Sequence, residues 1–424
     1  MKRFHGNFTG RSKAGVEQVN QKYHQTKPIK FKSVEDFNFP TNGGFTEIRT
    51  TSDGTKIGAY CSATGEVPVY YAVHEGVFYW SEQSLTIPSR YRNNVKLLQK
   101  GEAVTWSPLT GLKQYEKTDI LPRPPIREAI PLEEAINTYA DLLLKSVEKR
   151  INHLPTSAQN RIAISQSGGL DSFLVTWALN KLGANIFPIS AGTSHEEWDI
   201  KAAKETLAIL NLPFYPVVIN REDFAPLFHE AIICYESPQE DNLRMASCNL
   251  AIAKKCRELK CGSIFTGHGH DDMHGTEGLT VATFYKLTEG TVSERWRDAC
   301  RQAFRGIGMD KMFATTYRRY GVHNRTPFYD DNLLRFVISL PENIRPAKAG
   351  KPFAVSIAKA LIPQAGSWHG DKYMRRGFGA GAGYYFNDTC QETIEYELGN
   401  AREMFKELKA EHDYTWFNRF HRFS

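Results

Sequence analysis

The sequence predicts a two-domain α/β chain: a β-rich N-terminal part, then a doubly wound parallel sheet that ends in a helical tail. Three observations carry this. Short apolar runs recur beyond residue 160 with helical patterns between them, the alternation of βαβ units. From Gly44 to about Lys117, strand-like runs follow one another instead. Between these regions Pro122-Arg123-Pro124-Pro125 reads as a stiff linker, which sets the domains at 1–125 and 126–424.

Residues 1 to about 40 are polar and poor in pattern, and this arm is expected to be loosely held. It carries Lys2, Arg3, Arg11, Lys13, Lys22, Lys27, Lys30 and Lys32 against few acids. A solvated arm and a contact with nucleic acid both fit such a run. Val67–Val73, Val77–Trp80 after the turn Glu75-Gly76, and Ala103–Trp106 are strands of the first domain. Past the linker, Leu132, Ala135, Ile136, Tyr139, Leu142, Leu143 and Val147 recur at helical spacing and predict a long amphipathic helix. Strands are then expected at Arg161–Ser165, Ile186–Ser190, Phe214–Ile219 and Ser263–Gly267, with ligands at their carboxyl ends.

At 424 residues, 41% hydrophobic and 24% charged, the chain can bury a substantial core and has the composition of a soluble protein. Its net charge of +6 is mild for the length. Seven cysteines form no Cys-x-x-Cys and no zinc spacing, which excludes a zinc module and fits reduced thiols in a cytosolic protein. No apolar run approaches the roughly 20 residues that span a bilayer, and the basic N-terminus lacks an apolar secretion core. A cytoplasmic protein with no membrane partner is expected.

The densest chemistry lies in Ser167-Gly168-Gly169-Leu170-Asp171-Ser172, between an apolar strand and a helical stripe. A glycine turn at a helix N-terminus lets backbone N–H groups and the helix dipole face an anion. The two serines add donors, but Asp171 would repel a phosphate unless a cation bridged them. The stretch therefore points to Mg²⁺-pyrophosphate, and with no Gly-x-x-x-x-Gly-Lys-Ser/Thr a γ-phosphoryl transfer is the weaker reading. A second loop, Gly267-His268-Gly269-His270-Asp271-Asp272, follows another strand. Asp171 and Asp271 are expected to share magnesium; a transition-metal cluster of His268, His270, Asp271, Asp272 and His274 is the alternative.

The Ser-Gly-Gly-x-Asp-Ser string resembles the loop of the ATP-pyrophosphatase (PP-loop) superfamily, and further stretches narrow this to its asparagine synthetase and β-lactam synthetase branch. The second loop stands where that family has Gly-Glu-Gly-Ser-Asp-Glu. Glu236 and Arg244 resemble a Glu and an Arg of the segment before it, and Arg325-Thr-Pro-Phe-Tyr-Asp330 its Arg-Val-Pro-Phe-Leu-Asp. Arg375-Arg376-Gly377-Phe378-Gly379 is similar to its Lys-x-Gly-Phe-Gly tail. The resemblance implies an ATP-pyrophosphatase sheet that binds ATP through Gln166, Ser167, Gly168, Gly169, Leu170, Asp171, Ser172, Ile189, Ser190, Thr266 and Gly267. More faintly, Val67-Pro-Val-Tyr-Tyr71 and Phe78-Tyr-Trp-Ser-Glu82 resemble stretches of the family's Ntn-type glutaminase domain. That domain needs a cysteine after the initiator methionine, whereas this sequence begins Met1-Lys2-Arg3, so a degenerate, non-hydrolysing copy is expected.

The implied reaction is ATP-dependent adenylation of a carboxylate, release of pyrophosphate, and displacement of AMP by ammonia or an amine. Small-molecule acid and amine substrates are the implied partners, and a homodimer is compatible with the resemblance. His268 falls at the family's Glu position, where an imidazole suits a general base for the amine. The family's lysine falls at Arg375, which supplies charge but shuttles no proton; Lys372 and Lys351 are the other candidates for its role, and Glu236 completes the implied set. Gly379 and Ala380 replace the family's Ser and Asp in the substrate loop, which argues against aspartate as substrate. Two other readings stay open: a PP-loop enzyme that modifies a nucleotide or nucleic-acid base, and a nucleotide-binding protein without catalysis.

Overall fold

The computed structural model describes residues 5–8, 46–51, 55–62, 64–84, 87, 94–116, 123–154, 156–236, 240–274, 285–286, 288–304, 308–346, 351–362, 395–396 and 399–400. The chain forms two compact units. One comprises Met1–Leu121 with Gly306–Thr315 and Asn400–Ser424; the other comprises Pro122–Arg305 with Thr316–Gly399.

The first unit holds eight strands: β1 (His5–Phe8), β2 (Thr46–Thr50), β3 (Ile57–Cys61), β4 (Val69–His74), β5 (Val77–Ser81), β6 (Lys96–Leu98), β7 (Glu102–Ser107) and β8 (Gly111–Glu116). They pair antiparallel in two four-stranded sheets, ordered β1-β5-β4-β6 and β2-β3-β7-β8. Alternate residues of both sheets, including Ile57, Ala59, Tyr71, Phe78, Val104 and Trp106, form one apolar cluster. Tyr71 and Phe78 stack in it with centroids 5.9 Å apart. The basic arm departs from its expected looseness at β1, which pairs with β5 through His5 opposite Ser81. Backbone ladder bonds to a sheet edge need no side-chain pattern, so nothing in the residue types announced this strand.

The second unit opens with α1 (Leu132–Asn152), whose buried face carries Ala135, Ile136, Tyr139, Leu143 and Val147 as the spacing predicts. Leu132, counted on that face, is instead 45% exposed in the first turn. Arg123 of the supposed linker bonds Asp298 at 2.6 Å, and the Pro124 carbonyl accepts from Arg297, so these residues are tied down. After the short α2 (Thr156–Gln159) come β9 (Ile162–Ser165), α3 (Leu170–Lys181), β10 (Ile186–Gly192), α4 (Trp198–Ile209), β11 (Tyr215–Val218), α5 (Arg221–Tyr235), α6 (Glu240–Glu258) and β12 (Ser263–Phe265). Then follow α7 (His270–His274), α8 (Val292–Ala303), α9 (Gly308–Arg319, divided between the units), β13 (His323–Arg325), α10 (Asp331–Ile338) and α11 (Pro352–Leu361).

The five strands form one parallel sheet, ordered β11-β10-β9-β12-β13. Every residue of β9 is buried, as a central parallel strand requires. The edge strand β13 coincides with the Arg325 motif and was not foreseen as a strand, because three residues of mixed polarity show no period. From β9 the chain winds outward to β11, then returns to β12 on the other side of β9. That reversal opens a crevice beyond the carboxyl ends of β9 and β12, where open α/β sheets bind ligands.

Candidate functional site

Both sequence-predicted loops start at this crevice. The first is shaped by its own serines. Ser172 Oγ donates to the Gly169 carbonyl at 3.1 Å and accepts from the Ser167 N–H at 3.3 Å, while Ser167 Oγ accepts from the Gly169 N–H at 3.3 Å. Gly168 stands at φ +74°, and a Cβ there would lie 2.4 Å from Ala202 of α4, so no other residue fits. The N-terminus of α3 has no side-chain cap, which leaves its first N–H groups to face an anion. The second loop is pressed onto the first: a Cβ on Gly267 would come within 2.7 Å of the Ser172 nitrogen.

The two acids converge on one cation, and it is a lysine. Lys351 Nζ donates to Asp171 Oδ1 and Oδ2 at 2.6 and 2.7 Å and lies 2.5 Å from Asp271 Oδ1. Lys351 is the N-cap of α11, left-handed at φ +46° and followed by Pro352. A positive charge at a helix N-terminus opposes the dipole, and a non-glycine residue in this backbone region is strained. Two carboxylates offset both costs. Phe353, buried edge-on against Tyr139 with centroids 6.0 Å apart, anchors this turn, and α11 packs on α1 and α3.

Asp171 is also held from behind. His270 Nδ1 contacts Asp171 Oδ1 at 2.5 Å, and its Nε2 meets the Tyr139 hydroxyl at 2.9 Å. Burial alone would raise the Asp171 carboxyl, but Lys351 and His270 hold it well below the usual carboxylate range. Burial alone would likewise lower the Lys351 ammonium, and Asp171 and Asp271 instead hold it above the ordinary lysine range. Burial keeps the His270 imidazole below its usual value against the pull of Asp171. It keeps His274 well below, with the charges of His270 and Lys351 acting the same way.

The dependence of stability on pH follows from these signs. Lys351 contributes fully below the free-lysine value of about 10.4 and loses that contribution only as pH rises through its raised value. Asp171 contributes above about 3.9 and loses it as pH falls through its depressed value. His270 and His274 are held neutral, so unfolding takes up protons below about pH 6.5 and stability declines there. Denaturant titration should show a plateau between about pH 7 and 10 and an acid limb from about 6.5 downward. His274→Asn should flatten that limb, and an unchanged slope would overturn the assignment.

The second loop also presents His268, whose Nε2 is 3.0 Å from the Tyr329 hydroxyl. Glu236, the C-cap of α5, is fully buried in a left-handed conformation at φ +55°. Gln166, just beyond β9, and Ser190, within β10, are wholly buried, and among the described residues the side-chain amide of one and the hydroxyl of the other lack hydrogen-bond partners. The Gln166 N–H meets the Ile189 carbonyl at 2.8 Å, which sets these residues side by side. Lys372, Arg375, Gly379 and Ala380 lie outside the described residues.

Asp171 and Asp271 suit a hard divalent cation, since their oxygens already converge on one ammonium. Among the described residues no group of three or more His, Cys, Asp or Glu side chains could hold a metal ion. The transition-metal alternative therefore does not assemble, and phosphate and water would complete a magnesium shell. Lys351 as the bridge, and Tyr139, His270 and Tyr329 as supports, did not emerge from the sequence as such. The Lys351-Pro352 pair at a helix start was the available signal.

Residues 138–303 match the asparagine synthase family model. The glutamine-hydrolysing asparagine synthetase of Gallus gallus is 27% identical over 241 residues, 55% of this chain and 40% of that protein. Its Homo sapiens counterpart is 25% identical over 283 residues, 64% of this chain and 48% of that protein. The chain thus spans less than half the length of either. Among solved structures, the U34-tRNA thiolase NcsA from Methanococcus maripaludis has a TM-score of 0.33 at 13% identity, covering 66% of this chain and 88% of that one. NAD⁺ synthetase from Burkholderia pseudomallei has a TM-score of 0.24 at 13% identity, covering 58% and 98%. Likeness of that extent leaves the architecture to be read from the strand order itself. The sequence match thus places an asparagine synthase-like domain at residues 138–303.

Proposed function

We propose that this protein is an ATP-dependent amide-forming ligase. It would adenylate a substrate carboxylate with release of pyrophosphate, then pass the acyl group to ammonia or an amine with release of AMP. The observation that carries this reading is the convergence of Asp171 and Asp271 on one cation beside the Ser167–Ser172 turn. Two acids at a phosphate-shaped turn make sense only where charge is to be bridged.

In this reading Asp171 and Asp271 would hold Mg²⁺, which would neutralise the departing pyrophosphate. The turn from Ser167 to Ser172 and the open N-terminus of α3 bind the phosphates, with Leu170 packed beneath and Thr266 and Gly267 closing the other side. The unpartnered Gln166 amide and Ser190 hydroxyl supply polar edges beside Ile189 for the rest of the nucleotide; left unmet, such buried groups cost about 1–3 kcal/mol each. Lys351 brings a permanent charge to the phosphate side. His268, oriented by Tyr329, takes the proton of the attacking amine. Glu236, Lys372 and Arg375 are assigned the supporting charges the family resemblance implies.

The first unit is proposed as a glutaminase-like domain that hydrolyses no glutamine. Cys61 is buried in β3, and burial pushes its thiol up to about 11 despite the Thr46 hydroxyl and Lys100. Cys234, Cys248, Cys256, Cys261 and Cys300 are buried too, and burial raises each of their thiols. Among the described residues no cysteine offers the exposed thiolate that attack requires.

One incubation tests both parts. With ATP, Mg²⁺, ammonium and a panel of carboxylic acids, chromatography should show AMP and pyrophosphate in equal amounts. Stoichiometric ADP would sink the ligase reading. Glutamine in place of ammonium should yield no glutamate, and its appearance would refute the second part alone.

A further inference from the structure

Tyr139, His270 and Asp171 form one hydrogen-bonded string across three helices. Tyr139 lies on α1, His270 opens α7, and Asp171 stands in the first turn of α3. The direction of the string follows from Lys351. Its ammonium can only donate, and it contacts both Asp171 oxygens, at 2.6 and 2.7 Å, so the carboxylate between them accepts and carries no proton. The 2.5 Å contact from His270 therefore needs a proton on Nδ1. Burial, with the charge of Lys351 acting the same way, favours the neutral ring. Nε2 is then a bare acceptor, and the Tyr139 hydroxyl donates to it at 2.9 Å.

Packing fixes what the bonds direct. Tyr139 and His270 are wholly buried. The imidazole packs on Phe328 and on His274, with centroids 4.3 and 4.4 Å away. Neither ring has room to turn, so the Asp171 carboxylate is held on the side away from Lys351 whatever the ammonium does. Serine stands at the place of His270 in the Gly-Glu-Gly-Ser-Asp-Glu stretch that this loop resembles, so the string comes from this chain's own residues. Where a hydrogen-bond partner orients a metal-binding carboxylate, removing that partner costs about 10–100-fold in metal affinity.

We propose that Tyr139 and His270 are positioning residues, which lock the Asp171 carboxylate in the orientation that takes a divalent cation, with the proton of His270 held on Nδ1. This rests on the ligase reading for the purpose of the cation, but not for its test. The probe is Mn²⁺, and its binding to the full chain with α,β-methylene-ATP is read by electron paramagnetic resonance, without turnover. His270→Ala should weaken Mn²⁺ about 10–100-fold. His270→Asn, whose amide N–H₂ can stand in for the Nδ1–H donor, should recover most of that loss. Tyr139→Phe, which keeps the ring and its packing, should weaken Mn²⁺ in the parent and add nothing in His270→Ala. Nuclear magnetic resonance of isotope-labelled histidine should show the Nδ1–H form, the minor one for histidine free in water, in a signal that His270→Asn removes. A ring protonated at Nε2, parental affinity in His270→Ala, His270→Asn as weak as His270→Ala, or additive losses in the double variant would overturn the proposal. Pyrophosphate exchange into ATP separates the two readings. Mn²⁺ binding untouched by these substitutions, with exchange intact, removes the positioning role and keeps the ligase. Mn²⁺ binding that depends on His270, with no exchange for any acid, keeps the positioning role and removes the ligase. A parent that binds no Mn²⁺ overturns both.

Discussion

Asp171→Asn is expected to abolish turnover while the fold survives. The carboxylate makes two contacts to Lys351 and one to His270, all between 2.5 and 2.7 Å. Charge-assisted contacts of the kind proposed from this carboxylate to metal and phosphate are worth roughly 1.5–3 kcal/mol each, so losing two of them would cost about 10²–10⁴-fold in rate. Asparagine cannot reproduce the set. It presents one oxygen and one N–H₂, and the latter would face either the Lys351 ammonium or the proposed metal. Lys351 would keep Asp271 alone, whose side chain is 62% exposed and screened by water. Pyrophosphate release and circular dichroism on the same preparation decide this: native dichroism with parental turnover would remove Asp171 from the reaction.

His268→Ala is expected to split the reaction in two. The imidazole is proposed to serve only the amine, so the variant should still exchange labelled pyrophosphate into ATP in the presence of substrate acid. Amide release should fall about 10²–10⁴-fold, the usual range for loss of a general base. Raising the pH should recover part of it, because more of the amine is then unprotonated. Arg375→Ala should instead weaken exchange itself, since charge on the α-phosphate develops in that half-reaction. Equal loss of exchange in both variants would place His268 with the nucleotide, and the division of labour would fail.

Four of the five strands of the parallel sheet were legible because each is a short apolar run bounded by helical patterns, and their predicted bounds lie within two residues of those observed. The turn at Ser167 was legible because its geometry is local: two glycines and two serines specify it without help from elsewhere. The bridge at Lys351 was not. Its partners lie on segments remote in sequence, and one lysine among 53 basic residues carries no mark of which carboxylates it will meet. The role of His270 was hidden in a related way: imidazoles beside acids left a metal cluster open as an alternative, whereas the fold turns Tyr139 toward one nitrogen and Asp171 toward the other. The pairing of β1 was invisible for the opposite reason: it depends on an edge elsewhere, not on the arm's own residues.

The Lys351 bridge also bears on the order in which the molecule is made. Asp171 and Lys351 are 180 positions apart, so every residue between them is synthesised before the two can meet. Until the turn at Lys351 docks, Asp171 and Asp271 face each other as like charges with nothing between them, and the two loops repel. Closing so long a loop is slow, and native bonds reward it only at the end. A nascent or truncated chain that stops short of α11 would therefore hold a shaped phosphate turn beside two unbalanced acids. The ammonium that balances the two acids is thus added only after every strand of the sheet behind it has been made.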